Sequence, residues 1–344
     1  MDTPDRLRGS ALGLASALLF GLGAPVSKLL LPGTQPLVLA ALLYLGAGLA
    51  FLLARPGRAE APLARSDAPW LVASVIAGAG AGPVLMLFGL ARLSGLAGSL
   101  LLNLETPFTI ALAVLVFGEH LSRREAGAAA IVVLGGALLG ARGGWSGSAV
   151  GAVSIALACL CWAVDNNLSA RLALKDPIRV LRIKTLCAGA ANLVLALVLG
   201  GSLPPMAICA AALAVGSVSY GASLLLYLRA QRALGAARQA VLFAAAPFAG
   251  ALASVPLLGD RPSALDLAAA TLMALGIAGL LRARHSHLHT HAPLEHDHLH
   301  VHDEHHPHEH PPGVAEPHAH PHQHDPVTHA HPHVSDPHHR HPHR

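Results

Sequence analysis

Long apolar stretches separated by short polar turns dominate the first 282 residues of the chain. Residues that favour turns, such as Pro32, Gly33 and the pair Pro204 and Pro205, lie between these stretches. Each stretch has roughly the 17 to 25 residues that an α-helix needs to cross a bilayer, so the pattern predicts ten spans, at about 10–30, 36–54, 69–91, 96–117, 124–141, 148–170, 178–199, 206–228, 236–258 and 264–281.

The apolar pattern occurs twice along the chain. A shift of 140 positions lays Arg92 on Arg232, Gly95 on Gly235 and Pro107 on Pro247. We therefore expect two copies of a five-helix unit, at residues 9–142 and 147–282. Because each copy has an odd number of spans, the second would enter the membrane from the opposite side, as in an inverted-topology repeat. That architecture is typical of alternating-access transporters.

The composition is that of a multi-pass membrane protein. Hydrophobic residues make up 53% of the 344 positions and charged residues only 12%, and the mean hydropathy is +0.53. The net charge of +4 does not indicate nucleic-acid binding, because Lys and Arg lie in short clusters between the apolar stretches. These clusters collect on one side, so the positive-inside rule predicts that both termini are cytoplasmic. We expect the protein in the inner (plasma) membrane.

One acidic residue, Glu105, falls near the centre of a predicted span. It lies about nine residues, or roughly 13 Å, into the fourth stretch. Asn103 precedes it, and Thr109 follows one turn later on the same face. A charge at this depth is costly and usually functional. We interpret Glu105 as a group that alternates between binding a proton and binding a cation; the alternative is an ion pair with a basic neighbour.

A second polar cluster, with Asp165 and Asn166, closes the sixth span. Cys161, Asp165 and Ser169 are four residues apart, so they share one helix face. Sulfur and oxygen on that face could bind a soft or borderline metal ion. A structural ion pair is an equally open interpretation, with Arg171, Arg182 and Lys184 as the basic candidates.

The tail, residues 285–344, holds 23 of the 24 histidines, with prolines and acidic residues between them. A segment with so few bulky apolar residues cannot bury a core, so it is predicted to be disordered. Dense imidazoles bind nickel, cobalt or zinc. No permanently bound cofactor is expected. The candidate metal ligands are His285, His287, His289, His291, His296, His298, His300, His302, His305 and His306.

Several of these features resemble one transporter family. The two five-helix units, the short connection from Arg92 to Gly95, and the sequence from Phe117 to Leu121 at the end of the fourth span are similar to the EamA family of the drug/metabolite transporter superfamily. The similarity covers about residues 9–282. It implies an all-α membrane protein that exports small metabolites, commonly amino acids, from a cavity between the two halves. With its tail, the chain resembles the His-tailed nickel and cobalt exporters.

The leading hypothesis is proton-coupled efflux of a divalent transition metal, Ni²⁺ or Co²⁺ before Zn²⁺, with the tail collecting metal. Expelling a divalent cation against 100 mV costs about 4.6 kcal/mol, and exchange for two protons would cancel that charge movement. Glu105 and Asp165 would supply the two carboxylates.

Two alternatives remain open: an exporter of amino acids or other small metabolites, and a membrane-held metal buffer or sensor without transport. No enzyme activity is expected, since no H-E-x-x-H or G-x-S-x-G motif occurs. We expect a monomer or homodimer in the lipid bilayer.

Overall fold

The computed structural model describes residues 3–55, 61–117, 121–141, 147–172, 175–282, 285–290, 294–300, 318–324 and 328–333. Up to residue 282 the described chain is almost entirely helical. In the first half the helices are α1 Thr3–Leu30, α2 Pro36–Leu53, α3 Ala68–Ser74, α4 Gly82–Leu90, α5 Gly95–Leu101, α6 Glu105–Phe117 and α7 Arg123–Gly140. In the second half they are α8 Gly147–Ser169, α9 Pro177–Val198, α10 Met206–Val215, α11 Ser223–Leu234, α12 Ala236–Phe243, α13 Ala246–Leu258 and α14 Ala264–Arg282.

Nine helical stretches of the described chain are long and apolar enough to cross a membrane. They coincide with nine of the ten predicted spans. The other predicted span, 124–141, forms α7, which is not among the nine. Its first turn carries Arg123, Arg124 and Glu125, and Ser122 and Glu125 cap each other's backbone N–H groups. Charges suit a helix start at a membrane surface, but they lower the apolar length of this helix.

Several spans that the sequence predicted as continuous helices are interrupted. A π-helical segment, Val75–Ala81, separates α3 from α4, and a second one, Gly216–Ala222, separates α10 from α11. A 3₁₀ turn, Leu102–Leu104, separates α5 from α6. A turn at residues 244–245 separates α12 from α13. Pro107 and Pro247 follow these last two breaks closely, and a proline removes the N–H that would continue the α-helical ladder.

Helices from the two halves pack against each other in matching pairs. From the first half, α1 packs on α11 and α13; from the second, α8 packs on α4 and α6. The second helices of the halves, α2 and α9, contact each other, and so do the last, α7 and α14. Buried leucines and alanines from both halves form one apolar core. The middle of the bundle is therefore built from α1, α4, α6, α8, α11 and α13.

Four segments of the tail are strands: β1 His285–Thr290, β2 Leu294–His300, β3 His318–His324 and β4 Thr328–His333. β1 pairs antiparallel with β4, and β2 with β3. The prediction of a disordered tail therefore differs from the structure at these four segments. The H-x-H alternation has the two-residue period of a strand, and pairing satisfies the backbone N–H and C=O groups. The remainder of the tail, with His291, His302, His305 and His306, lies outside the described residues.

Candidate functional site

A cavity of about 330 Å³ lies among the central helices. Its wall includes residues of α1, α4, α6, α8, α11, α12, α13 and α14, so both halves of the chain contribute. Apart from the aromatic residues, the polar side chains of the lining are one carboxylate, two amides and one hydroxyl. These belong to Glu105, Asn103, Asn166 and Thr106.

Glu105 is the first residue of α6, directly after the 3₁₀ turn that interrupts the fourth span. Its carboxylate accepts a hydrogen bond from the Asn166 side chain of α8 at 2.8 Å. The same Asn166 amide also donates to the Thr109 hydroxyl at 3.3 Å. Among the described residues its side-chain partner is an amide, whereas the alternative interpretation expected a basic neighbour. Glu105, Asn166 and Thr109 therefore lie together. The sequence had placed Glu105 and Thr109 on one helix face.

The backbone next to Glu105 departs from a regular α-helix. Because Pro107 has no N–H, the carbonyl of Asn103 loses its α-helical partner. The Asn103 side chain is buried and donates to the carbonyl of Leu100 at 2.9 Å. The break thus leaves a polar backbone patch beside the carboxylate in the middle of an apolar bundle.

Aromatic rings form much of the remaining wall: Phe20, Trp162, Tyr220, Tyr227 and Phe243. Four of these rings contact one another in a continuous set. Phe20 lies 5.7 Å from Tyr220 and 5.0 Å from Phe243, and Tyr227 lies 5.0 Å from Phe243. Trp162 is fixed by a 2.9 Å hydrogen bond to the carbonyl of Gly78 in the first π-helical segment. Electron-rich ring faces and one carboxylate therefore surround the same space.

Asp165 does not share this space, although the sequence paired it with Glu105. Lys184 of α9 binds both of its carboxylate oxygens, at 2.6 and 2.8 Å. Ser74 and Ser169 also donate to it. Lys184 and Asp165 expose only 10% and 13% of their side chains. The geometry matches the ion-pair interpretation of Asp165 and leaves its oxygens occupied.

Other predicted residues lie away from the cavity wall. As far as the described residues form that wall, it includes neither Cys161 nor Thr109. Cys161 is half-buried and Cys159, on the same helix, is fully buried. Six of the candidate histidines lie on β1 and β2: His285, His287, His289, His296, His298 and His300.

Sequence reasoning missed the aromatic residues of the wall. Aromatic residues make up only 4% of the chain, yet five of them line one cavity. In an isolated span an aromatic residue is indistinguishable from ordinary lipid-facing or core residues. Their scarcity was the one available signal.

Two charged side chains contact the α4–α5 connection at one end of the bundle. There Lys28, at the end of α1, donates to the carbonyls of Leu90 and Leu93, at 2.6 Å each. The carboxylate of Asp260, just after α13, accepts from the backbone N–H of Leu96 at 2.8 Å. Both groups hold the short connection between α4 and α5. The lining residues extend instead towards the other end, as far as Leu281 beside the end of α14.

Three comparisons relate the chain to known proteins. A model of the EamA-like transporter family matches residues 7–141 and again residues 149–282. A relative from Methanothermobacter thermautotrophicus, described as an uncharacterized transporter, is 27% identical over 293 residues, which cover 79% of this chain and 85% of the relative. A crystal structure that is 21% identical aligns with a TM-score of 0.58 over 80% of this chain and 97% of its own, which shows a shared fold.

Proposed function

The chain belongs to the EamA-like transporter family, and from this premise we propose that it exchanges protons for a small organic solute that carries a cationic amino group. The coarser conclusion, a multi-pass membrane transporter, rests on the family and on the nine apolar helices. The observation that supports the finer proposal is the position of Glu105. It is the one carboxylate on the described wall of a cavity that is otherwise aromatic, apolar and amide-lined.

A single carboxylate suits exchange of one proton for one monovalent cation. Glu105 pairs with the cationic group when ionised and releases it when it takes up a proton, so the cavity never holds an uncompensated charge. The exchange moves no net charge across the membrane. The Asn166 amide, 2.8 Å from the carboxylate, keeps it oriented while it is ionised.

The aromatic wall supports an organic cation. An ammonium group over the face of Trp, Tyr or Phe is attracted by the ring, by about 2 kcal/mol or more when water is excluded. The rings also remove apolar parts of a solute from water. A volume of 330 Å³ is near the lower end of the range for small-molecule sites, roughly 300 to 1,000 Å³. These features together favour a compact amine.

Metal efflux is the second candidate, and the 23 histidines of the tail favour it. The described cavity residues fit a divalent cation less well. Within the described part of the chain no three His, Cys, Asp or Glu side chains come together as a metal site. The carboxylate that would have completed a pair, Asp165, is held by Lys184. We therefore assign metal binding to the tail and place Ni²⁺, Co²⁺ or Zn²⁺ behind amines as cargo.

Alternating access by two inverted halves is part of the proposal. The matching contacts of α1 and α8 with the opposite half, and of α2 with α9, support it. The clusters of Lys and Arg support an inner-membrane orientation with both termini cytoplasmic. The end beside Lys28 would then face outwards, and the cavity would be reached from the cytoplasm.

The test is uptake into everted vesicles that contain the full-length protein, with and without an imposed proton gradient. The probes are radiolabelled choline, phenylethylamine and Ni²⁺. We expect gradient-driven accumulation of at least one amine and its loss in Glu105→Gln, which removes the charge but keeps the shape. The control is Glu125→Gln, which makes the same chemical change in the capping box of α7. Gln can also accept the capping hydrogen bond at that position, so this variant should transport normally.

Two outcomes would overturn the proposal. Gradient-driven Ni²⁺ accumulation without any amine transport would make metal the cargo. Normal amine transport by Glu105→Gln would remove Glu105 from the coupling mechanism. Deleting residues 285–344 tests the tail separately: amine transport should persist while Ni²⁺ bound per protein falls.

A further inference from the structure

A second cleft, of about 420 Å³, lies at the end of the bundle where α1 begins and α14 ends. The end of α2, the start of α9 and the last turns of α11 form it. Its charged lining residues are all basic: Arg55, Arg229 and Arg232. Its apolar lining residues are Leu53, Ala54, Ile178, Leu225 and Leu228.

The arginines around this cleft fall into two groups. Arg182 donates to the carbonyls of Phe51 and Ala54, at 2.8 to 3.1 Å, and so caps the end of α2. Arg179 pairs with Asp176 at 3.3 Å. In the described part of the chain, by contrast, neither Arg55 nor Arg229 has a hydrogen-bond or ion-pair partner, and both are exposed. Two guanidinium groups in one cleft thus keep their donors available.

The apolar part of the cleft includes one strongly exposed side chain. Leu53, the last residue of α2, is 88% exposed. Leucines at the end of a membrane-spanning helix lie at the level where acyl chains meet headgroups. The cleft therefore presents cationic donors and apolar surface side by side, at the depth of a lipid headgroup.

We propose that this cleft binds one anionic phospholipid, with its phosphate between Arg55 and Arg229 and its acyl chains along Leu53 and Leu228. Arginine offers several N–H donors in a planar fork that matches phosphate oxygens. Basic clefts between membrane helices are suited to anionic headgroups. A soluble phosphate could use the arginines but would leave the exposed side chain of Leu53 uncovered, so lipid is the better occupant.

The bound lipid would join three helix ends. Arg182 already fixes the end of α2 to α9, and α11 carries Arg229 about two turns after the second π-helical segment. A lipid that bridges Arg55 and Arg229 would stabilise this packing of α2 against α11. This site is separate from the solute cavity and does not depend on the identity of the cargo.

The experiment is native mass spectrometry of the full-length protein in neutral detergent. Phosphatidylglycerol and phosphatidylcholine with identical chains are titrated separately, and inorganic phosphate is added as a competitor. We expect phosphatidylglycerol to be retained in preference. Arg55→Gln/Arg229→Gln should weaken its binding on the order of tenfold, from the loss of two charges near a membrane surface. The control, Arg123→Gln/Arg124→Gln, removes two exposed charges at the same membrane face and should bind within about twofold of the wild type.

Three results would overturn the lipid assignment. They are equal retention of the two lipids, equal weakening in both double variants, and displacement of the lipid by inorganic phosphate at matched concentration. Thermal unfolding of both variants confirms that they are folded, so that weaker binding reports the site.

Discussion

Two acidic side chains inside the same bundle have different surroundings, and this difference predicts different roles for them. Glu105 meets one amide donor and open cavity space. Asp165 meets an ammonium and two hydroxyl groups. A buried carboxylate with a full set of donors gains little from a ligand, whereas one with vacant acceptor positions can exchange partners. Burial and charge alone could not distinguish the two residues.

Removing one member of the Asp165–Lys184 pair should destabilise the protein strongly. Asp165→Asn leaves the Lys184 ammonium buried without a counter-charge, and such losses amount to about 3 to 5 kcal/mol. Lys184→Met should destabilise the protein by a similar amount, because it leaves the Asp165 carboxylate buried without a counter-charge. The double variant Asp165→Asn/Lys184→Met should regain much of that loss. Thermal unfolding in detergent measures this cycle, and strictly additive losses would show that the pair does not act as a unit.

At the scale of elements, close backbone contacts hold the helices and set where glycine is needed. A Cβ on Gly216, in the second π-helical segment, would meet the backbone carbonyl of Leu43 in α2. A Cβ on Gly46 would likewise meet the carbonyl of Leu213. The α2 helix therefore lies against the α10 side of the bundle at a distance that only glycine permits. Backbone atoms cannot give way as a flexible side chain can.

Gly216→Ala should lower stability by roughly 1 to 3 kcal/mol, since overpacking forces these backbones apart. Gly127→Ala is the matched control, because nothing lies within 4 Å of a Cβ built there in α7. That control should be neutral or gain up to about 1 kcal/mol from the lower helix propensity of glycine. Thermal unfolding of the two variants provides the measurement. Equal stability would contradict the close approach of α2.

The sequence predicted the spans well because bilayer thickness fixes their length and composition. It missed the interruptions at Val75–Ala81 and Leu102–Leu104, since a π-helical segment or 3₁₀ turn depends on neighbouring helices. Glu105 was predictable because a carboxylate in an apolar span is rare. The partner of Asp165 could only be offered as one of three basic residues, since the choice of Lys184 depends on how α8 and α9 pack.

At the scale of the whole molecule, the cavity wall extends towards the end of α14, and hydrogen bonds hold the α4–α5 connection at the opposite end. Lys28 and Asp260 hold the connection between α4 and α5 from the two halves of the chain. Charge-assisted hydrogen bonds of this kind contribute about 1.5 to 3 kcal/mol each. Opening this end requires these bonds to break, so they bias the molecule towards the conformation described.

Lys28→Met should therefore shift the population towards opening at this end. A tenfold change in an equilibrium corresponds to about 1.4 kcal/mol, which is no more than the contribution of one of these hydrogen bonds. We therefore expect a cysteine placed at Met86 to react at least tenfold faster. The reagent is a membrane-impermeant maleimide added on the Lys28 side, with the native cysteines replaced. Arg261→Gln removes an exposed charge beside Asp260 and should leave labelling unchanged. Unaltered labelling in Lys28→Met would show that this contact does not control access.

The two π-helical segments also indicate where residues were inserted into the helices during evolution. Val75–Ala81 and Gly216–Ala222 are both seven residues long and 141 positions apart. A π-helical turn holds one residue more than an α-helical turn. Inserting one residue into an α-helix produces such a turn when the helix on either side keeps the same face towards its neighbours. Each of the two stretches that match the family model contains one such segment, within one residue of the position that the 140-residue shift gives, so the two-unit interpretation predicts a single insertion that both share. The same two segments are then where the helices should best tolerate the deletion of one residue.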